Sequence, residues 1–138
     1  LMKCNQPFIL ENNFENVSRE PLMELLGKYS YTAITVTLTG NYHKIYERFA
    51  ERNNSPDRHP GHVVNDCYPP KTPNSAVKPI SYEKFVNGIM NRGMDSFAAN
   101  GPQIVVDTTD FSKIHTETLI KKISDCRDEI LLRKSSAK

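Results

Sequence analysis

Neither sign of charge dominates this chain: 18 lysines and arginines stand against 16 aspartates and glutamates, a formal net charge of +2. That balance excludes nucleic-acid or membrane binding by bulk charge, so any anion site must come from local clustering. Long apolar runs are missing too. None approaches the ~20 residues of a membrane span, and no basic start, apolar stretch and cleavage site point to secretion. Cysteine is scarce. Cys4, Cys67 and Cys126 are odd in number and widely spaced, which reads as reduced thiols of a cytoplasmic protein rather than a disulfide framework. What is present is ordinary for a globular protein, 38% hydrophobic and 25% charged over 138 residues, enough for one domain (1–138) with a core.

The densest local cluster runs from Arg48 to His62 and holds Arg48, Arg52, Arg58, His59 and His62. Arg48 and Arg52 are four apart, so a helix stacks them on one face, where like charges repel unless an anion or a carboxylate lies between them. Arg58 and the two histidines follow on a Pro/Gly-punctuated loop that can fold over the same anion. Guanidinium forks match phosphate oxygens two at a time, so the cluster points to a polyphosphate site.

Around it, elements alternate. Pro7–Glu11 reads as a buried strand whose carboxyl end opens at Glu11-Asn12-Asn13, itself good turn chemistry. Met2–Gln6 reads as the last turn of a helix before it, and a chain starting so close to a buried strand is expected to continue upstream. Ser18 is placed as a cap for a helix with the stripe Leu22, Leu25, Leu26, Tyr29. Ala33–Leu38 is a β-branched strand, Thr39-Gly40-Asn41 its turn, and Tyr42, Ile45, Tyr46 and Phe49 the apolar stripe of the arginine helix. From 53 to 79 the pattern stops under six prolines, a stretch that reads as a lid. Ser81 caps a helix ending near Arg92-Gly93. Gln103–Asp107 is a third buried strand, and a last helix from about Lys113 turns Leu119, Ile120, Ile123, Cys126 and Ile130 inward. The expected fold class is therefore α/β, a parallel sheet with helices on both faces, with ligands at the carboxyl ends of the strands.

Ile9–Phe14, Leu38-Thr39-Gly40 leading to Arg48-Phe49 and Arg52, Arg58-His59-Pro60-Gly61-His62, and Ile104–Asp110 together resemble the C-terminal part of a P-loop kinase. The small-molecule and zeta-toxin-like kinases, often described as AAA-domain ATP-binding proteins, are the group in question. The resemblance covers most of residues 7 to 131. It implies an ATP-binding phosphotransferase that moves the γ-phosphoryl group to a small-molecule or nucleotide-type acceptor, with ATP and Mg2+ as cofactors of the intact protein. It places Arg48, Arg52, Arg58 and Glu11 in catalysis, Arg48, Arg52, Thr108 and Thr109 at the nucleotide, and Asn12, Asn13, His59 and His62 at the lid or substrate. One departure is severe: no G-x-x-x-x-G-K-[ST] occurs in these residues, so the phosphate cradle, its lysine and the magnesium-binding hydroxyl are absent. The family's strand order would then leave a slot in the sheet, and a dimer through that incomplete sheet is one consequence.

Plainer readings stand beside these. Arg48 and Arg52 can be solvated, with Lys44–Glu47 and Arg48–Glu51 as surface pairs. Asp107 and Asp110 read as turn and helix-start residues. His59, His62 and Cys67 have a spacing suited to zinc, but no fourth ligand or C-x-x-C accompanies them, and no metal site is expected. A chain without the cradle can also be a non-catalytic module binding an anion, nucleic acid or a protein; nucleic acid is the less favoured of these.

Overall fold

The computed structural model describes residues 1–59, 62 and 80–136. Among them the helices are α1 (Asn16–Lys28), α2 (Tyr42–Asn54), α3 (Tyr82–Arg92) and α4 (Thr116–Ser136). The strands are β1 (Thr35–Thr39) and β2 (Gln103–Asp107), and short 3-10 turns form at Met2–Cys4 and Phe111–Lys113. The fold is α/β, with a small parallel sheet of β1 and β2. No helix among the described residues is long and apolar enough to cross a membrane. Most of the stretch expected to form a lid lies outside the described residues; within it, α2 continues to Asn54.

The sheet's register is Thr35↔Gln103 through Thr39↔Asp107. Thr35 N–H donates to the Pro102 carbonyl at 2.9 Å and Thr108 N–H to the Thr39 carbonyl at 2.7 Å. A parallel ladder alternates, so the backbone groups of Ile104 and Val106 point toward β1 while those of Gln103, Val105 and Asp107 point away. One face carries Thr35, Thr37 and Gln103. It is covered by the chain after α3: Ala99 N–H donates to Thr35 Oγ1 at 3.1 Å, and Gln103 Nε2 bonds Thr37 Oγ1 and the Phe97 carbonyl. Phe97 stacks on Phe14 with centroids 5.1 Å apart and, with Leu26 of α1, forms the apolar centre. The other face carries Val36 and Leu38, and Leu38 remains 68% exposed.

The first expected strand does not form. Pro7–Glu11 has no ladder partner among the described residues, and Ile9 is 97% exposed. An apolar run becomes a strand only where a neighbour accepts its backbone bonds. Here the segment is held instead at its start, by Tyr31 Oη donating to the Gln6 carbonyl at 2.9 Å and by Phe8 against the Tyr31 ring. Glu11 therefore does not stand at a strand end.

The helices keep closer to expectation. α1 begins earlier than Ser18. Its N-cap is Glu15, whose N–H donates to Ser18 Oγ while Ser18 Oγ–H returns to the Glu15 carbonyl at 2.8 Å. Leu26 of its stripe is buried, but Leu25 is exposed. In α2 and α3 the stripes meet: Phe49–Phe85, Tyr46–Phe85 and Tyr46–Tyr82 pack with centroids 4.8, 5.4 and 5.6 Å apart. Ser81 Oγ caps α3, and Gly93 ends it at φ 67, a left-handed position that glycine adopts without a Cβ penalty. α4 starts at Thr116, and Ile120 faces outward at 57% exposure.

Candidate functional site

The carboxyl ends of β1 and β2 are knitted together by short polar bonds. Asn41 caps α2, its Oδ1 accepting from His43 N–H at 2.9 Å and Lys44 N–H at 3.3 Å. Its own N–H donates to Thr109 Oγ1 at 2.8 Å. Gly40 makes that approach possible, because a Cβ there would lie 2.9 Å from the Thr109 nitrogen. Across from it, Asp107 Oδ1 accepts Thr109 N–H at 2.8 Å. Bonds from the Thr109 hydroxyl and N–H hold the Asp107 carboxyl below its usual range, with Lys113 adding to them. Asp110 is lowered in the same way by Ser112, whose Oγ–H donates to it at 2.7 Å. Both acids thus organise the turn after β2.

Arg48 reaches into this rim from α2. Its Nη1 donates to the Thr108 carbonyl at 2.6 Å, its Nη2 to Thr108 Oγ1 at 3.3 Å, and its guanidinium lies 4.4 Å from the centroid of the Phe111 ring. Thr108 is buried, and both its N–H and its hydroxyl donate to the Thr39 carbonyl. The arginine, the buried threonine and the β1 terminus form one continuous network. Its partners are a carbonyl, a hydroxyl and a ring, so no carboxylate among the described residues neutralises it.

Arg52, one turn further along α2, is exposed, and its guanidinium makes no hydrogen bond or ion pair among the described residues, its carbonyl alone accepting from Ser55 N–H at the helix end. Arg58 donates Nε and Nη2 to the His62 carbonyl at 3.1 and 2.7 Å. His62 N–H bonds the His59 carbonyl at 2.9 Å, and the two imidazoles meet edge to face 5.9 Å apart. The surface-pair reading holds in one half only: Lys44 and Glu47 pair at 2.8 Å, whereas Arg48 turns inward rather than to Glu51. Arg48, Arg52 and Arg58 therefore all lack a carboxylate partner among the described residues.

The chain matches no family model, no curated protein and no solved structure. The site rests on its own geometry.

The structure brings Arg48 and Thr108 into direct contact and Thr109 beside Asn41. It does not link Glu11, Asn12 or Asn13 to the arginines by any bond among the described residues. Asn12 Oδ1 accepts Asn13 N–H at 2.8 Å, a local turn, and Glu11 is exposed. Cys67 lies outside the described residues. Phe111 was invisible in the sequence, since nothing in its spacing marks it as the plate beneath Arg48. Tyr42 was read as core by its period. Its hydroxyl in fact donates to Asp95 at 2.6 Å, tying α2 to the turn after α3.

Proposed function

We propose that this chain carries the arginine-bearing part of an ATP-dependent phosphotransferase of the P-loop kinase type, acting on a small-molecule or nucleotide-type acceptor. The observation that carries the reading is the set of three guanidinium groups that have no carboxylate partner among the described residues, arranged from the strand-end rim outward. Arg48 is anchored and fixes the rim. Among the described residues the Arg52 side chain is unengaged and that of Arg58 is bound to a carbonyl alone, so both can turn their forks to phosphate oxygens. The β1–α2 connection and the parallel β1–β2 pair support the same reading, since ligands of such sheets lie beyond the strand carboxyl ends. Phosphoryl transfer is mostly positioning and neutralisation of charge, which is what mobile arginine forks supply. The glycine-rich loop and its lysine, absent from these 138 residues, are supplied in this reading by sequence beyond them, and Mg2+ enters with the nucleotide.

The test uses the native reading frame. A strand and G-x-x-x-x-G-K-[ST] upstream, with Arg52→Ala and Arg58→Ala each lowering turnover about 100-fold or more while the fold is kept, is the expected result. Unchanged turnover in folded variants overturns the arginine assignment. A second reading, a non-catalytic anion-binding module, is favoured by the missing cradle. It expects tripolyphosphate to bind the 138-residue chain and no phosphoryl transfer in any longer form.

A further inference from the structure

The amino ends of the two strands, opposite the arginine rim, are clamped by a single side chain. Asn100 Oδ1 accepts Ala33 N–H at 3.0 Å, and Asn100 Nδ2 donates to the Tyr31 carbonyl at 2.9 Å. One amide thus serves both a donor and an acceptor of the chain entering β1, a pairing that a carboxylate cannot reproduce. The next residue is fixed by space: a Cβ at Gly101 would run into the Ala33 carbonyl and the Thr32 side chain. The clamp therefore needs asparagine at 100 and glycine at 101, which is also a reactive pair. A side chain on the residue after asparagine hinders attack by that residue's nitrogen, and glycine has none.

We propose that Asn100 is a site of spontaneous deamidation and that the reaction releases the clamp. The Gly101 nitrogen attacks Asn100 Cγ and gives up its proton. The Cγ–Nδ2 bond breaks, and ammonia carries that proton away as the succinimide ring closes. Water then opens the ring at either carbonyl, leaving aspartate or its β-linked isomer at position 100. Three observations select this residue. Asn100 is exposed, as are both bonds of its side chain, so they open at little cost. Gly101 N–H, the nucleophile, makes no hydrogen bond among the described residues. The other Asn-Gly pair of the chain, Asn87-Gly88, lies inside α3, where the helix commits the Gly88 N–H to a carbonyl one turn back. Aspartate puts a carboxylate oxygen where Nδ2 donated to the Tyr31 carbonyl. The β-linked isomer also lengthens the main chain by a methylene where Gly101 packs against Ala33. The inference is independent of the arginine site.

Incubation of the 138-residue chain in mildly alkaline buffer, followed by proteolysis and mass spectrometry, tests it. The expected result is conversion of Asn100 to the acid, with the β-linked isomer present, about tenfold or more faster than at Asn87, because α3 must open first. Asn100→Gln should keep its amide under the same conditions, since its longer side chain closes a ring far more slowly. The aged chain, and Asn100→Asp from the outset, should unfold at lower urea and exchange the Ala33 and Thr35 amides faster than the fresh parent. Asn100 that stays intact, or converts no faster than Asn87, overturns the site. Conversion with an unchanged urea midpoint and unchanged exchange overturns the release of the clamp.

Discussion

Arg48 and Arg52 share a helix face by spacing, yet the tertiary structure separates their roles. Arg48 is spent on the Thr108 carbonyl and the Phe111 ring. Truncating it leaves a part-buried carbonyl without its donor, so Arg48→Ala is expected to cost about 1–3 kcal/mol of stability in urea unfolding. Arg52→Ala, at an exposed site whose side chain has no partner among the described residues, is expected to stay within about 0.5 kcal/mol. A second prediction at this scale concerns Tyr42. Its hydrogen bond to Asp95, then burial, push the phenol up to about 12 from 10.0. The folded state thus holds this proton more tightly than the unfolded state. The stabilisation is full below about pH 10 and is lost as pH rises toward about 12. Unfolding midpoints measured across that range should fall less steeply in Tyr42→Phe than in the parent. Asp107 and Asp110 carry the opposite sign, their contribution being present at neutral pH and lost on acidification; both are exposed, so salt should weaken it.

Elements were legible where local chemistry is self-sufficient. The stripe of α2, the Ser81 cap and the Gly93 stop all follow from residues within one or two turns. Gly93 adds a reason that local sequence does not show: a Cβ there would collide with the Asn16 side chain at the start of α1. Gly93→Ala combines that collision with a left-handed φ, and it should destabilise by more than about 1 kcal/mol in thermal or urea unfolding. Asn41→Ala removes the cap of α2 and should cost about 1 kcal/mol, with the loss seen as fraying of the first turn in amide exchange. Pro7–Glu11 was misread because an apolar run is only a candidate strand. Its apolar residues carry no information about whether a ladder partner is present.

At the scale of the whole molecule, the two-stranded sheet leaves both of its edges without a strand partner among the described residues. β1 offers Val36 and Leu38 backbone groups outward, with no lysine or proline to blunt the edge. Hydrogen exchange should therefore be slow at the Thr35, Thr37 and Thr39 amides, which face β2, and faster at Val36 and Leu38. If a longer native chain places a strand beside β1, as the phosphotransferase reading requires, the Val36 and Leu38 amides should become protected as well. Persistent fast exchange there in the longer protein would count against that reading.

The sequence alone determined the α/β alternation, the helix stripes and the arginine cluster, because period, capping chemistry and charge spacing act over a few residues. Only the tertiary structure decided which arginine is anchored and which is unengaged, and that Phe111 lies beneath the first of them. The same holds for the Thr109–Asn41 bond, which joins two strand ends 68 positions apart in the chain. Strand partners, ring plates and bonds between distant turns depend on how elements dock, and no local pattern encodes that choice.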